Sequence, residues 1–206
     1  IAHRNLLARI RHPLSPTWNN CETWRALHLS VFGAPPGTCG CPVSAEYHAL
    51  VEKVDGFVAG VATKRRADLA CRAGCSGCCQ VWLTLSPVEA GQVQTAIQAL
   101  SAPAKSALAA RGRREQQREA EGRAARCAML DETDRCSVYA HRPLVCRTQG
   151  LPLQYPAGVV PEASVRARSS RGEITYCPLN FTQAAPTSSD TLDADRVDQM
   201  LALVNL

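Results

Sequence analysis

Four of the nine residues in CRAGCSGCC are cysteine (Cys71, Cys75, Cys78 and Cys79), and the last two are neighbours. Nothing else in the sequence narrows the fold as much, because so many thiols this close together demand a common chemical partner. Two cysteines separated by two residues can turn back on one metal ion if the backbone between them is free to bend. CSGC supplies Gly77 for that turn, with Gly74 just before it. Backbone amides brought near the sulfurs would steady their negative charge. On a helix, Cys71, Cys75 and Cys79 would share a face by their spacing of four, with Cys78 close to it. In either form, Cys78 and Cys79 on a single ion would close a cramped ring. The adjacent pair therefore predicts a polynuclear site or two neighbouring ones.

The chain has eleven cysteines in 206 residues. Cys21, Cys39 and Cys41 fall in a turn-rich N-terminal stretch. The other eight are Cys71, Cys75, Cys78, Cys79, Cys127, Cys136, Cys146 and Cys177, twice the four ligands of a tetrahedral thiolate site. A secreted disulfide scaffold is the first rival. Such scaffolds are short, their cysteines are spread through loops, and an odd count leaves one unpaired. The opening IAHRNLLARIRHPLSP contains no secretory apolar core, so the expected setting is reducing and cytoplasmic. No segment reaches the roughly 20 apolar residues of a membrane span. The formal charge of +5 points only weakly to an acidic partner. Eight thiolates on two divalent ions would bring it to about +1. With no aromatic RNP-type stripe or helix-turn-helix pattern, nucleic-acid binding is not expected.

The expected fold is mainly α with irregular loops, a small single domain organised around a cysteine-ligated metal site. Residues 1–43 are expected to be an irregular N-terminal extension, and 44–206 the helical cysteine-cluster domain. Tyr47, Leu50, Val51, Val54, Phe57, Val58 and Val61 recur at three and four residues and predict a helix from Ser44 to about Asp68. QVWLTLSP alternates over 80–85 as a short strand would. SPVE places Ser86 as N-cap, Pro87 in the first turn and Glu89 at the third position of a helix running to about Leu100. A second helix is expected from Ser101 to about Met129. Its middle, ARGRREQQREAEGRAAR, is polar on nearly every face and reads as solvated. Residues 130–180 read as irregular. TSSD is expected to cap a C-terminal helix with a stripe of Leu192, Val197, Leu201 and Val204.

The loop from Cys136 to Cys146 also carries Tyr139, His141, Arg142 and Pro143, and Arg147 follows it. An arginine beside thiolates favours their charge, and Pro143 stiffens the connection. His141 reads as surface rather than ligand, and Tyr139 as packing or a hydrogen-bond donor. CRAGCSGCC, Cys127, CSVYAHRPLVCR and Cys177, in that order, resemble the zinc- or iron-chelating, YkgJ-like cysteine-cluster family. That family is known for a CxxCxxCC-type signature and eight cysteines; here the first spacing is three residues rather than two. The resemblance covers Cys71 to Cys177, about half the chain, and implies metal binding by these eight cysteines. It implies less about activity, because the same signature occurs in larger enzymes such as a flagellin lysine methylase. Cys21, Cys39 and Cys41 lie outside it; the CGC of Cys39 and Cys41 reads as a plain loop rather than a separate soft-metal or redox pair.

Metal binding is thus the expected function, with zinc or iron, including an iron–sulfur cluster, as cofactor, since both metals accept four thiolates. The alternative is an iron-dependent or iron–sulfur oxidoreductase or protein-modifying enzyme, with Tyr139, His141 or Glu173 bordering an open position. A closed structural zinc protein whose exposed helix binds a protein partner is a third reading. Cys71, Cys75 and Cys78 also have the spacing of radical S-adenosylmethionine enzymes. That chemistry expects repeating βα units, which are missing here, and leaves Cys79 without a use.

Overall fold

The computed structural model describes residues 44–80 and 83–205. The extension expected over 1–43, with Cys21, Cys39 and Cys41, lies outside the described residues. Helix α1 spans Ala45–Lys64, and its N-cap Ser44 accepts the Tyr47 N–H at 3.1 Å. Its helical period turns Tyr47, Leu50, Val54 and Val61 inward, as expected. It stops before the expected Asp68 because Arg65 leaves helical geometry and Arg66–Asp68 forms a 3-10 turn.

Helix α2, Pro87–Ala99, starts on the predicted capping box. Glu89 is buried and bonds in two directions. One carboxylate oxygen takes the Ser86 N–H and hydroxyl, and the other takes the Leu144 N–H at 2.9 Å. Helix α3, Ala102–Ala120, ends well short of Met129, and Gly122 at φ +70° turns the chain away. The strand expected over 80–85 is absent at Gln80 and at 83–85, the described part of that stretch. Gln80 is held at the end of a 3-10 turn, Gly77–Cys79, and Ser86 already caps α2, leaving little room for an extended run.

Residues 130–180 are not simply irregular, which corrects the mainly-α expectation: the described chain is about half helical and carries a small sheet. Helix α4 is Leu144–Thr148. The strands are β1 Leu153–Tyr155, β2 Ala167–Ser169, β3 Gly172–Thr175 and β4 Leu192–Asp193, in the order β2-β3-β1-β4. β3 runs antiparallel to β1 and β2, while β4 lies parallel to β1. Strands of two to four residues are too short to show a readable alternation. TSSD does not cap the last helix; it forms a 3-10 turn, and Leu192 belongs to β4 rather than to the helical stripe. Helix α5, Ala194–Val204, is capped by Asp193. Its Val197, Met200, Leu201 and Val204 cover the core formed by Tyr47, Leu50, Val54, Val88 and Leu144. A second core joins Val61, Leu151 and Phe181.

Asp190 ties α1 to the C-terminal part. It is fully buried and accepts from the Thr187 N–H at 2.9 Å, the Thr187 hydroxyl at 2.8 Å and Lys64 at 3.0 Å. Burial alone would raise its pKa, but the Thr187 and Lys64 bonds outweigh it and hold the carboxyl at about 2. A depressed carboxyl stabilises the fold above its unfolded pKa and loses that contribution as pH falls toward the folded value. Asp190→Asn is therefore expected to cost about 1.5–3 kcal/mol at pH 7. In thermal melts, the gap between the variant and the parent should close as pH falls from about 4 toward 2. A gap that persists at the acid end would show that the charge is not what matters.

Candidate metal centre

Cys71 leaves the 3-10 turn that ends α1 and meets a buried amide. Asn180, 1% exposed, donates its Nδ2 to the Gly150 carbonyl at 2.7 Å and to Cys71 Sγ at 3.4 Å, and its Oδ1 accepts the Ala70 N–H at 2.9 Å. Cys177 is fixed against the same point, its N–H donating to the Gly150 carbonyl at 3.2 Å and its carbonyl accepting the Asn180 N–H at 2.9 Å. Gly150 sits at φ +91°, where a Cβ would lie 3.3 Å from Cys71 Sγ and 3.6 Å from the Cys177 Cβ. Between these anchors the chain makes a left-handed turn at Gly74, φ +84°, and then the 3-10 turn Gly77–Cys79.

The other cysteines arrive from a small hairpin. The Cys127 N–H donates to the Cys79 carbonyl at 2.7 Å, which docks the two cysteine segments. Beyond it, Ser137 N–H to Met129 C=O and Asp131 N–H to Arg135 C=O, both 2.8 Å, bring Leu130 opposite Cys136. The turn aims amides at sulfur: Met129 and Leu130 N–H at Cys127, and Val138 N–H at Cys136. Such donors favour the thiolate and orient it as a ligand. Helix α3 braces this hairpin. Buried Glu115 accepts the Arg126 N–H at 2.9 Å, and Arg111 reaches the Ala128 carbonyl at 3.1 Å. The segment read as a solvated helix is, on this side, a clamp. Cys146 enters from α4, whose first turn is capped by Glu89.

The electrostatics divide the thiols in the same way. Burial raises Cys71, followed by the nearby Cys177, Cys75 and Cys78, against the Asn180 hydrogen bond. Burial pushes Cys146 up to about 12, and Cys127, Cys136 and Cys78 add to the rise. Burial also raises Cys127 and Cys136. Cys78 and Cys79 share one proton: the hydrogen bond from Cys79 brings Cys78 down to about 6, and the same bond pushes Cys79 up. Cys71 thus feels Cys177, Cys75 and Cys78, whereas Cys146 feels Cys127, Cys136 and Cys78. Among the described residues, no three Cys, His, Asp or Glu side chains lie close enough together to hold an ion. The donor set nonetheless suits a soft metal: thiols, amides directed at sulfur, and a buried Asn on Cys71.

The other sequence candidates take different parts. Tyr139 is 64% exposed and lies under the Arg142 guanidinium, 3.7 Å from its ring centre, so it is neither core packing nor a buried donor. His141 is exposed, as expected of a surface histidine. Arg142 lowers the Cys136 pKa after burial has raised it, the effect expected of an arginine near a thiolate. Arg147 is spent on structure, bonding Asp55 at 2.5 Å and the Arg142 and Ala140 carbonyls at 2.8 and 2.7 Å. Glu173 is buried in β3, where its carboxylate takes the Gly158 N–H at 3.1 Å and faces Arg168. Asn180 and Gly150 were missed in the sequence. The glycine just after CRTQ was the one available signal, and nothing marked the asparagine.

Thiols on loops, with backbone amides directed at them, are the donor type that cysteine-ligated metal sites use. Residues 70–163 match the model of the CxxCxxCC family, described as "Putative zinc- or iron-chelating domain". The match includes seven of the eight cysteines and ends before Cys177. No curated protein and no solved structure matches the chain.

Proposed function

We propose that the protein holds zinc or iron through Cys71, Cys75, Cys78, Cys79, Cys127, Cys136, Cys146 and Cys177, as two adjacent ions or one polynuclear centre. The observation that carries this reading is the locking together of cysteines distant in sequence. Cys127 docks on Cys79 through a 2.7 Å backbone bond, and Cys71 and Cys177 meet on Gly150 and Asn180. Neither arrangement serves a hydrophobic core, because all eight thiols are exposed or only half-buried. Metal would replace the thiol protons, so loading would release protons and weaken in acid. Bound metal would also tie the α1–α2 connection to the segments between α3 and β4, contributing folding free energy rather than requiring a reaction. Exposed thiols suit a reducing, cytoplasmic setting.

The test is elemental analysis with an absorption spectrum of anaerobically purified protein. About two ions per chain, colourless if zinc and coloured if iron, is the expected result. A brown, iron-rich sample would favour the oxidoreductase or protein-modifying alternative for the same cysteines. Protein that stays metal-free after reconstitution with both metals would overturn the reading.

A further inference from the structure

The geometry points to a modification site where Cys71 meets Cys177. In an oxidising glutathione balance these two thiols close a disulfide in place, tying the stretch after α1 to the stretch after β3. This goes beyond the metal-binding reading and does not rest on it. The two stretches already run side by side. The Phe181 N–H donates to the Asp68 carbonyl at 2.7 Å, and the Ala70 N–H to Asn180 Oδ1 at 2.9 Å. The Asn180 N–H donates to the Cys177 carbonyl at 2.9 Å, and its Nδ2 reaches Cys71 Sγ at 3.4 Å. The Phe181 ring adds to the join, with the Arg65 guanidinium 5.3 Å from its centre and Tyr176 edge-on at 5.5 Å.

Gly150 leaves the space between them. A Cβ there would stand 3.3 Å from Cys71 Sγ and 3.6 Å from the Cys177 Cβ, so both cysteines border one point that carries no side chain. The Cys177 charge also acts on Cys71 ahead of those of Cys75 and Cys78. A disulfide brings its two Cβ atoms to about 4 Å and tolerates little backbone movement. With both backbones pinned, rotation about the side-chain bonds is the motion that remains. Cys78 and Cys79 are the poorer pair, because a disulfide between neighbours closes a small ring across one peptide bond and strains it. Cys71 is exposed and Cys177 half-buried, which sets the order of events. The Cys71 sulfur attacks one sulfur of oxidised glutathione, and its proton passes to the departing glutathione thiol. The Cys177 sulfur then attacks the Cys71 sulfur of that mixed disulfide, releasing the second glutathione with the Cys177 proton. Two protein thiols give up two electrons and two protons, and one glutathione disulfide becomes two thiols.

The experiment keeps the full chain in chelator and equilibrates it in glutathione buffers of rising oxidised fraction. Free thiols are then trapped with iodoacetamide and tryptic peptides mapped without reduction. Cleavage at arginine leaves Cys71 as the one cysteine of 67–72 and Cys177 as the one cysteine of 172–196, so their cross-link is read directly. The Cys71–Cys177 pair should exceed every other cysteine pair at least about tenfold, and in urea that excess should vanish. Cys177→Ser should stop Cys71 at the mixed disulfide with glutathione. Gly77→Ala, where a Cβ meets nothing within 4 Å, should leave the cross-link in place. The cross-linked chain should melt about 5–15 °C above the reduced one, because the tie closes a long loop. Predominant pairing of Cys78 with Cys79, an even spread of pairs without urea, or a cross-link that lowers the melting point would overturn the proposal.

Discussion

Cys146→Ser is expected to lose about one ion per chain and to melt well below the parent. A serine hydroxyl is a harder, less acidic donor than a thiol and cannot complete a four-thiolate site. Cys146 lies on α4, whose Leu144 N–H bonds to Glu89, and the charges of Cys127, Cys136 and Cys78 act on its thiol. Its loss would therefore remove one of the eight proposed ligands. A structural metal contributes on the order of 10 kcal/mol in small domains; losing even a third of that in a chain this size should lower Tm by roughly 7–13 °C. Metal analysis and calorimetry on the same preparation check both parts. Full metal content with an unchanged melt would remove Cys146 from the site. Cys39→Ser is the comparison, expected to leave metal content alone.

Gly150→Ala is the second large effect. The position lies at φ +91°, a conformation that L side chains rarely adopt, and holding alanine there costs about 1–3 kcal/mol. The added Cβ would also sit 3.3 Å from Cys71 Sγ and 3.5 Å from the Asn180 amide nitrogen, against the thiol and the amide that holds it. A Tm drop of roughly 3–10 °C is expected, with weaker metal retention. Gly77→Ala, within the cysteine run itself, should be nearly neutral, because a Cβ there meets nothing within 4 Å. If the two variants behaved alike, the anchoring assigned to Gly150 would be wrong.

That contrast marks where the sequence is readable. The capping box of α2 by Ser86 and Glu89 is local chemistry, settled within four residues, and is found as expected, while α1 starts where the sequence placed it, with Ser44 as its cap. The apolar period of α1 likewise follows from its own spacing. The end of α3 differs from the expected Met129 because the helical propensity of the alanines and arginines around Gly122 masks the stop that this glycine makes. The sheet was missed because its strands are short and each exists only through a partner elsewhere in the chain.

The eight cysteines, their order and the doubled pair are properties of the sequence alone, and they are enough to specify thiolate chemistry and the metals it suits, because ligand softness belongs to the residue type. How the thiols are shared out was decided only by the tertiary structure. Cys78 and Cys79 point to a junction in the sequence, but Cys127 docking on Cys79, and Cys71 meeting Cys177 across Asn180 and Gly150, say which distant cysteine joins which side. Those contacts span up to 110 residues and rest on a buried amide, a left-handed glycine and a carboxylate on a neighbouring helix. None of these carries a local pattern, since each takes its meaning from a partner that only folding supplies.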